Sequence, residues 1–347
     1  MIKLNLAGHI VGMTRFFNAA DKSAALEFVA ASTATTVVCL DTPATPTFVE
    51  FVRELCAMGR QVVIRDHHDV AGEPSSPRDK EIRASADTLR SLLGDEAVIS
   101  NRDANPACSS LVKTGEFTDE DYVLILDADP DGLTAGMKAL GITYPELDAD
   151  AALLDGPPTR RQSLSEVGEL LNKAGATLPP FKDKSYEGAC TSLYENWVKA
   201  TQGDKIALVE LSTKVEKLFE DMVVKAKAIA TTATEVATGV WLVDVAGIHN
   251  YHMATLAADM EARPGCRVTV IRKDDGPIAQ IGGVQYSLAR HTSDEDLDMK
   301  NLFPKGFNSS AQTGMIGNVP FLIHASQKVW EEILLPTLKE RFEAVTE

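Results

Sequence analysis

The stretch "QVVIRDHHDV" (61–70) sets two adjacent histidines, His67 and His68, between Asp66 and Asp69, directly after an apolar β-branched run. Two other apolar runs end in the same way. "VVCLD" ends at Asp41, and "YVLILDADPDG" runs out into Asp127, Asp129 and Asp131. If these runs are neighbouring strands of a parallel sheet, their carboxyl ends lie on one edge, about 5 Å apart strand to strand. Carboxylates gathered that closely repel one another unless cations sit between them, so the pattern points to a metal site. Mixed Asp/His ligation without sulfur suits Mn²⁺, Mg²⁺, Fe²⁺ or Zn²⁺, and an oxygen-rich set leans to Mn²⁺ or Mg²⁺. Two such ions about 3.5–4 Å apart clamp a phosphate and activate water.

Each segment also has an ordinary structural reading. Asp41 before "TPATP" is equally an Asx turn or a helix cap. "DADPDGLTAGMK" starts like a calcium loop but ends in Lys138, where an EF-hand needs Glu. Adjacent histidines after a strand are harder to explain as packing, because one ring must point away from whatever buries the other. The three segments together say more than any one of them.

The elements that must position these residues alternate. "TTVVCL" (35–40), "QVVI" (61–64), "AVIS" (97–100) and "YVLIL" (122–126) read as short buried strands. Between and after them, 45–59, 77–94 and 133–141 carry apolar residues at helical spacing, each stopped by a glycine. Such alternation predicts an α/β fold with a doubly wound, mostly parallel sheet. From about residue 157 the texture changes to Pro-bearing punctuation and a long helix at 204–237. The expected organisation is a catalytic domain over 1–160, a helical linker over 161–237 and a smaller α/β domain over 238–347. In the last, strands at 239–245 and 267–273 flank a helix at 251–262, and a hairpin-like 277–291 follows.

The 347 residues carry a net charge of −16, which argues against coating long duplex nucleic acid, a task that calls for a basic surface. It leaves room for a small phosphorylated substrate or a short single strand whose charge is met by metal ions. Five scattered cysteines, never in a C-x-x-C pair, argue against a disulfide framework or a thiolate zinc site. The opening "MIKLNLAGHIVGM" has no small-residue cleavage pattern and no apolar run reaches membrane-spanning length, so the expected compartment is the cytoplasm and no membrane partner is expected.

"VVIRDHHDV" resembles the motif that names the DHH phosphoesterase superfamily, which includes RecJ-type exonucleases, nanoRNases, cyclic-dinucleotide phosphodiesterases and family II pyrophosphatases. "NRDANPACSSLVKTG" (101–115) resembles the Asn-Pro segment that follows that motif, and the C-terminal part resembles the family's DHHA1 domain. There "VQYSLARHTSD" is similar to a Ser-x-Arg strand, and "GFNSSAQTG" (306–314) to a glycine/histidine loop whose histidine position is Ser309 here. Family members open with an Asp-x-Asp or His/Asp-rich loop after their first strand. This chain offers only His9 and Asp21 in that region. Either the first motif is lost, or the motif order is permuted and "DADPDGLTAG" supplies it; the likeness of that loop to the RecJ-type opening favours permutation.

The resemblance implies a metal-dependent phosphoesterase that hydrolyses short oligonucleotides or single-stranded nucleic acid through a metal-activated water. The expected metal set is Asp41, Asp66, His67, His68, Asp127, Asp129 and Asp131, holding two Mn²⁺ or Mg²⁺ ions, with His67 and His68 catalytic. Arg290, Ser309, Ser310 and Gly314 are the expected substrate contacts; His249 and His252 read as capping or packing residues in preference to contacts with a base. Alternatives are hydrolysis of a small metabolite (pyrophosphate, polyphosphate or a bisphosphorylated nucleotide) and a catalytically silent nucleotide-binding relative.

Overall fold

A computed structural model of the chain describes residues 1–14, 17, 19–69, 72, 77–100, 107–117, 121–155, 163–179, 183–276, 278–302, 313–319 and 321–343. The chain forms two compact units, Met1–Lys217 and Leu218–Glu347.

The first unit starts with a hairpin, β1 (Ile2–Leu6) and β2 (His9–Thr14), paired antiparallel with Leu6 opposite His9. Its two turn residues, Ala7 and Gly8, have φ of 51° and 92°, the left-handed pair a two-residue hairpin requires. The chain then runs α1 (Ala19–Ala30), β3 (Thr36–Leu40), α2 (Pro46–Ala57), β4 (Gln61–Asp66), α3 (Pro77–Leu93), β5 (Val98–Ser100), β6 (Tyr122–Asp127) and α4 (Pro130–Ala139). The sheet order is β1-β2-β6-β3-β4-β5, and every pairing except β1 with β2 is parallel. Side chains alternate across it. Val37 and Cys39 face a core with Phe28, Phe48, Phe51, Leu55 and Leu89 of α1–α3, whereas Val38 and Leu40 face Leu133 and Met137 of α4. The sheet is therefore wound on both faces, as the strand–helix alternation predicts.

The segment expected as a linker, 161–237, is shared between the units. After α5 (Leu147–Asp155), α6 (Glu166–Ala176) and α7 (Tyr186–Thr201) lay Leu171, Ala174, Trp197 and Val198 into the first unit's core, and the division falls inside α8 (Lys205–Ala230). Trp197 explains why. Its ring is fully buried with its indole N–H donated to the Val167 carbonyl at 3.1 Å, and it meets Tyr144 edge-on at 5.9 Å. The helices on either side of the proline punctuation, α5, α6 and α7, all contribute to one core.

The second unit holds β7 (Thr234–Ala237), β8 (Val240–Asp244), α9 (Met253–Glu261), β9 (Val268–Lys273), β10 (Gln285–Arg290), β11 (Met315–Val319) and β12 (Leu322–Ala325), in sheet order β11-β12-β10-β9-β8-β7. Among the described strands of this unit, β8 and β9 alone pair in parallel, across α9. The expected hairpin at 277–291 is one strand: Ala279–Gly282 makes a helical turn, and β10 pairs with β9 and β12. Two apolar glycine-flanked halves look like a hairpin in sequence, but the first half closes i to i+4. No helix among the described residues is long and apolar enough to cross a membrane.

Candidate metal centre

The site lies where the sheet changes direction. From β3 the chain crosses by α2 to β4, while β6 fills the place between β2 and β3 and leads into α4 on the opposite face. In open α/β sheets a crevice forms at such a point, at the carboxyl ends of the strands. Asp41 follows β3, Asp127 ends β6, and Asp66 ends β4 with His67 and His68 directly after it.

Asp41 is the centre of the arrangement. Its backbone N–H continues the ladder to the Arg65 carbonyl at 2.8 Å, and its φ of 58° then turns the chain through the left-handed region. Aspartate tolerates that region better than most residues. The side chain is 1% exposed, and neither carboxylate oxygen accepts a hydrogen bond. His67, equally buried, brings Nε2 to 3.1 Å from Asp41 Oδ1, without the alignment of an N–H···O bond. Two donor atoms about 3 Å apart form the edge of an octahedron with ligand distances of about 2.1 Å, the geometry a small divalent ion imposes.

Two sets of side chains each bring one ligand atom within 4.8 Å of the others: Asp41 with His67 and His68, and Asp41 with Asp127 and Asp129. Asp41 belongs to both. Burial, and then the charges of Asp129, Asp131, Asp66 and Asp127, hold its carboxyl well above the usual carboxylate range. A buried carboxyl whose largest electrostatic neighbours are four more carboxylates is costly to ionise in the protein alone. The residues present therefore fit divalent cations, which would complete Asp41 and offset the repulsion.

The remaining expected ligands have protein partners. Asp129 caps α4, accepting the Gly132 N–H at 2.8 Å, and Asp127 Oδ1 accepts from Ala128 at 2.8 Å. Gly132 permits this tight loop, because a Cβ there would come within 2.5 Å of the Asp127 carbonyl. Asp131 is buried and accepts the N–H groups of Cys108 and Ser109 at 2.8 and 3.4 Å, fixing the 3-10 turn Cys108–Leu111 against the site. Its Oδ2 also lies 3.4 Å from His67 Nε2. Burial, then Asp129, raises its carboxyl well above the usual range, with the Cys108 N–H opposing. Asp66 lies beside His68, with Oδ1 2.7 Å from Nδ1. Asp69, the residue after the two histidines, is bonded by Arg83 at 2.6 Å and Arg90 at 3.1 Å, both from α3, so its charge is answered within the fold.

His9 is not part of this group. It is exposed at the amino end of β2, whereas the carboxyl end, Thr14, pairs with Asp127. In the second unit, Arg290 donates through Nη1 to the carbonyls of Asp294 at 3.1 Å, Leu297 at 3.2 Å and Glu295, bonds that brace the turn after β10. Gly314 has a φ of 76° and its carbonyl accepts from Ser326, so it shapes the entry to β11. Ser309 and Ser310 lie outside the described residues, as do residues 101–106 of the Asn-Pro segment. His252 caps α9 through the Thr255 N–H, the role read for it from sequence. The sequence reading passed over Ser100 and Cys108. Ser100 ends β5, paired with Asp66, so the strand-end rule that selected Asp41 and Asp127 selects it too when applied to "AVIS".

No family model matches the chain, and no curated protein does. Among solved structures it is similar to a pGpG-specific phosphodiesterase, PggH, from Vibrio cholerae, with 11% identity and a TM-score of 0.40 over 89% of this chain and 99% of that one. At that identity and score the likeness does not assign the chain to a family.

Proposed function

We propose that the chain is a metal-dependent phosphoesterase whose catalytic groups come from the first unit. The observation that supports this most is Asp41: fully buried, with no hydrogen bond to either oxygen, shared by two ligand sets and 3.1 Å from His67 Nε2. Two divalent ions, Mn²⁺ or Mg²⁺, would be held by Asp41, His67, Asp127 and Asp129, with Asp131 beside His67; His68, the third member of the first set, is assigned to the substrate, which leaves Asp41 and His67 as that set's ligands. At such a site divalent ions supply activation of water and neutralisation of phosphoryl charge. The chain's own contribution is placement. β3, β4 and β6 fix the carboxylates on one edge, and the buried surroundings keep bulk water from screening them. His68, with a side chain 21% exposed against 1% for His67, is the imidazole that faces substrate and steadies charge on the phosphate. The net charge of −16 favours short oligonucleotides and small phosphorylated molecules over long strands.

The test is turnover of bis-nitrophenyl phosphate by the full-length chain. Activity should vanish after EDTA treatment and return with Mn²⁺, and a labelled dinucleotide should be cut to mononucleotides. Absence of turnover with every divalent metal, on both substrates, would leave a binding protein instead of an enzyme.

A further inference from the structure

Asp66 opens the Asp-His-His triplet, and by sequence it is a ligand like its neighbours. Its bonds differ from those of Asp41. Oδ1 is 2.7 Å from His68 Nδ1, while Oδ2 accepts the His68 backbone N–H at 3.1 Å and the Ser100 hydroxyl at 3.3 Å. Asp66 is 1% exposed, so these partners replace water. It is also absent from both ligand sets around Asp41.

Two carboxylates beside His68, those of Asp41 and Asp66, are not equivalent. Nδ1 is 3.8 Å from Asp41 Oδ1 but within hydrogen-bond distance of Asp66. A ring nitrogen that carries a proton cannot also ligate a metal, and the hydrogen bond made by one nitrogen decides which form of the other is presented. The rings of His67 and His68 stand at 70° to each other, so the two presented edges point in different directions.

We propose that Asp66, braced by Ser100, is a positioning residue: it holds the His68 proton on Nδ1, so that Nε2 is the nitrogen turned to the phosphate. The tether stands on geometry alone, and only its use at a phosphate rests on the phosphoesterase reading. His67 and His68 then have separate duties, one toward the ions and one toward the substrate.

The experiment is long-range ¹H–¹⁵N correlation on the full-length, metal-free chain labelled with ¹⁵N-histidine, at a pH of about 9, above the usual imidazole range. The wild-type His68 ring should show a protonated Nδ1 and an unprotonated Nε2. The reverse tautomer overturns the proposal, and this measurement needs no variant to fold. Asp66→Asn is isosteric and gives a sharper outcome. Two donors already converge on Oδ2, so the amide oxygen settles there and the NH₂ faces His68 Nδ1. That contact forces the proton to Nε2. In this variant the tautomer should invert, kcat should fall roughly tenfold to a hundredfold, as when a histidine loses the carboxylate that orients it, and Mn²⁺ affinity should stay at the wild-type value. An unchanged tautomer refutes the tether, and a loss of Mn²⁺ binding would make Asp66 a ligand instead. A wild-type Nδ1–H ring in a chain with no turnover keeps the tether and removes the enzyme reading; an Nε2–H ring in an active chain does the opposite.

Discussion

The carboxyl edge of the first sheet and the β10–β12 strands of the second both bury polar side chains, and they handle them in opposite ways. In the second sheet Gln285 is 1% exposed, yet its Oε1 accepts the Ile278 N–H at 3.1 Å and its Nε2 donates to Ser287 at 3.3 Å. Ser287 in turn lies 3.0 Å from His324 Nδ1, directly opposite it in the ladder. Burial, and then Lys273, push His324 down to about 4, so it is a neutral ring in a neutral network. In the first sheet five aspartates converge on two histidines, and neither oxygen of Asp41 accepts a hydrogen bond. Satisfied neutral groups in a sheet are architecture, since each bond offsets its own desolvation. Like charges packed around a carboxylate without donors cost stability that protonation or a bound cation recovers. Burial alone does not mark a site; an unpartnered carboxylate ringed by like charges does.

The largest expected difference between the two clusters is in turnover. His67→Ala should lower it well beyond the roughly hundredfold typical of outer partners, with the fold retained. His324→Ala should leave kcat near wild type, its cost falling on stability. Equal losses in the two variants, measured on bis-nitrophenyl phosphate with Mn²⁺, would erase the distinction drawn here.

Stability against pH is the next way to separate them. The Asp41 and Asp131 carboxyls sit above their ordinary range in the folded, metal-free chain. The folded state therefore holds protons that the unfolded state releases from a pH of about 4 upward. Stability is full below that point and is lost as pH rises toward the folded values, by at most about 1.4 kcal/mol per pH unit for each carboxyl. Urea unfolding of the EDTA-treated chain should show this decline between mildly acidic and neutral pH. Asp41→Asn should flatten it and Mn²⁺ should abolish it. A stripped chain whose stability does not fall over that range would mean that the cluster carries no uncompensated charge.

How far the sequence revealed this follows from what each feature depends on. The strand ends were legible, because apolar β-branched runs ending in Asp or His are local patterns, and the alternation with helices places them on one edge. The partition of roles within the edge was not. Asp66 and Asp41 occupy the same kind of position, and only the register that sets Ser100 beside Asp66 distinguishes a bonded carboxylate from a bare one. Asp131 follows the same logic, since its donors come from Cys108 and Ser109, far from it in the chain. The extent of the first unit was hidden for another reason. Helices α6 and α7 are amphipathic segments among prolines, and their burial depends on a surface made by residues before 155.

Arg290 carries the smallest effect and sharpens the comparison from the side of the second unit. A guanidinium on a strand near Asp294 and Glu295 suggests either a phosphate anchor or a surface ion pair. Its Nη1 reaches the backbone carbonyls of Asp294, Glu295 and Leu297, its buried Nε has no hydrogen-bond partner, and Arg267 takes the Asp294 carboxylate at 3.0 Å. Charged hydrogen bonds to carbonyls of a turn are worth about 1.5–3 kcal/mol in total effect when lost. Arg290→Ala should therefore lower the urea midpoint of the second unit while KM for a short oligonucleotide stays within about twofold, because uniform binding energy would appear in KM alone. Arg290→Lys should recover only part of the stability, since an ammonium lacks the planar fork that spans several acceptors. A raised KM at unchanged stability would return Arg290 to the substrate, and with it the second cluster would cease to be purely architectural.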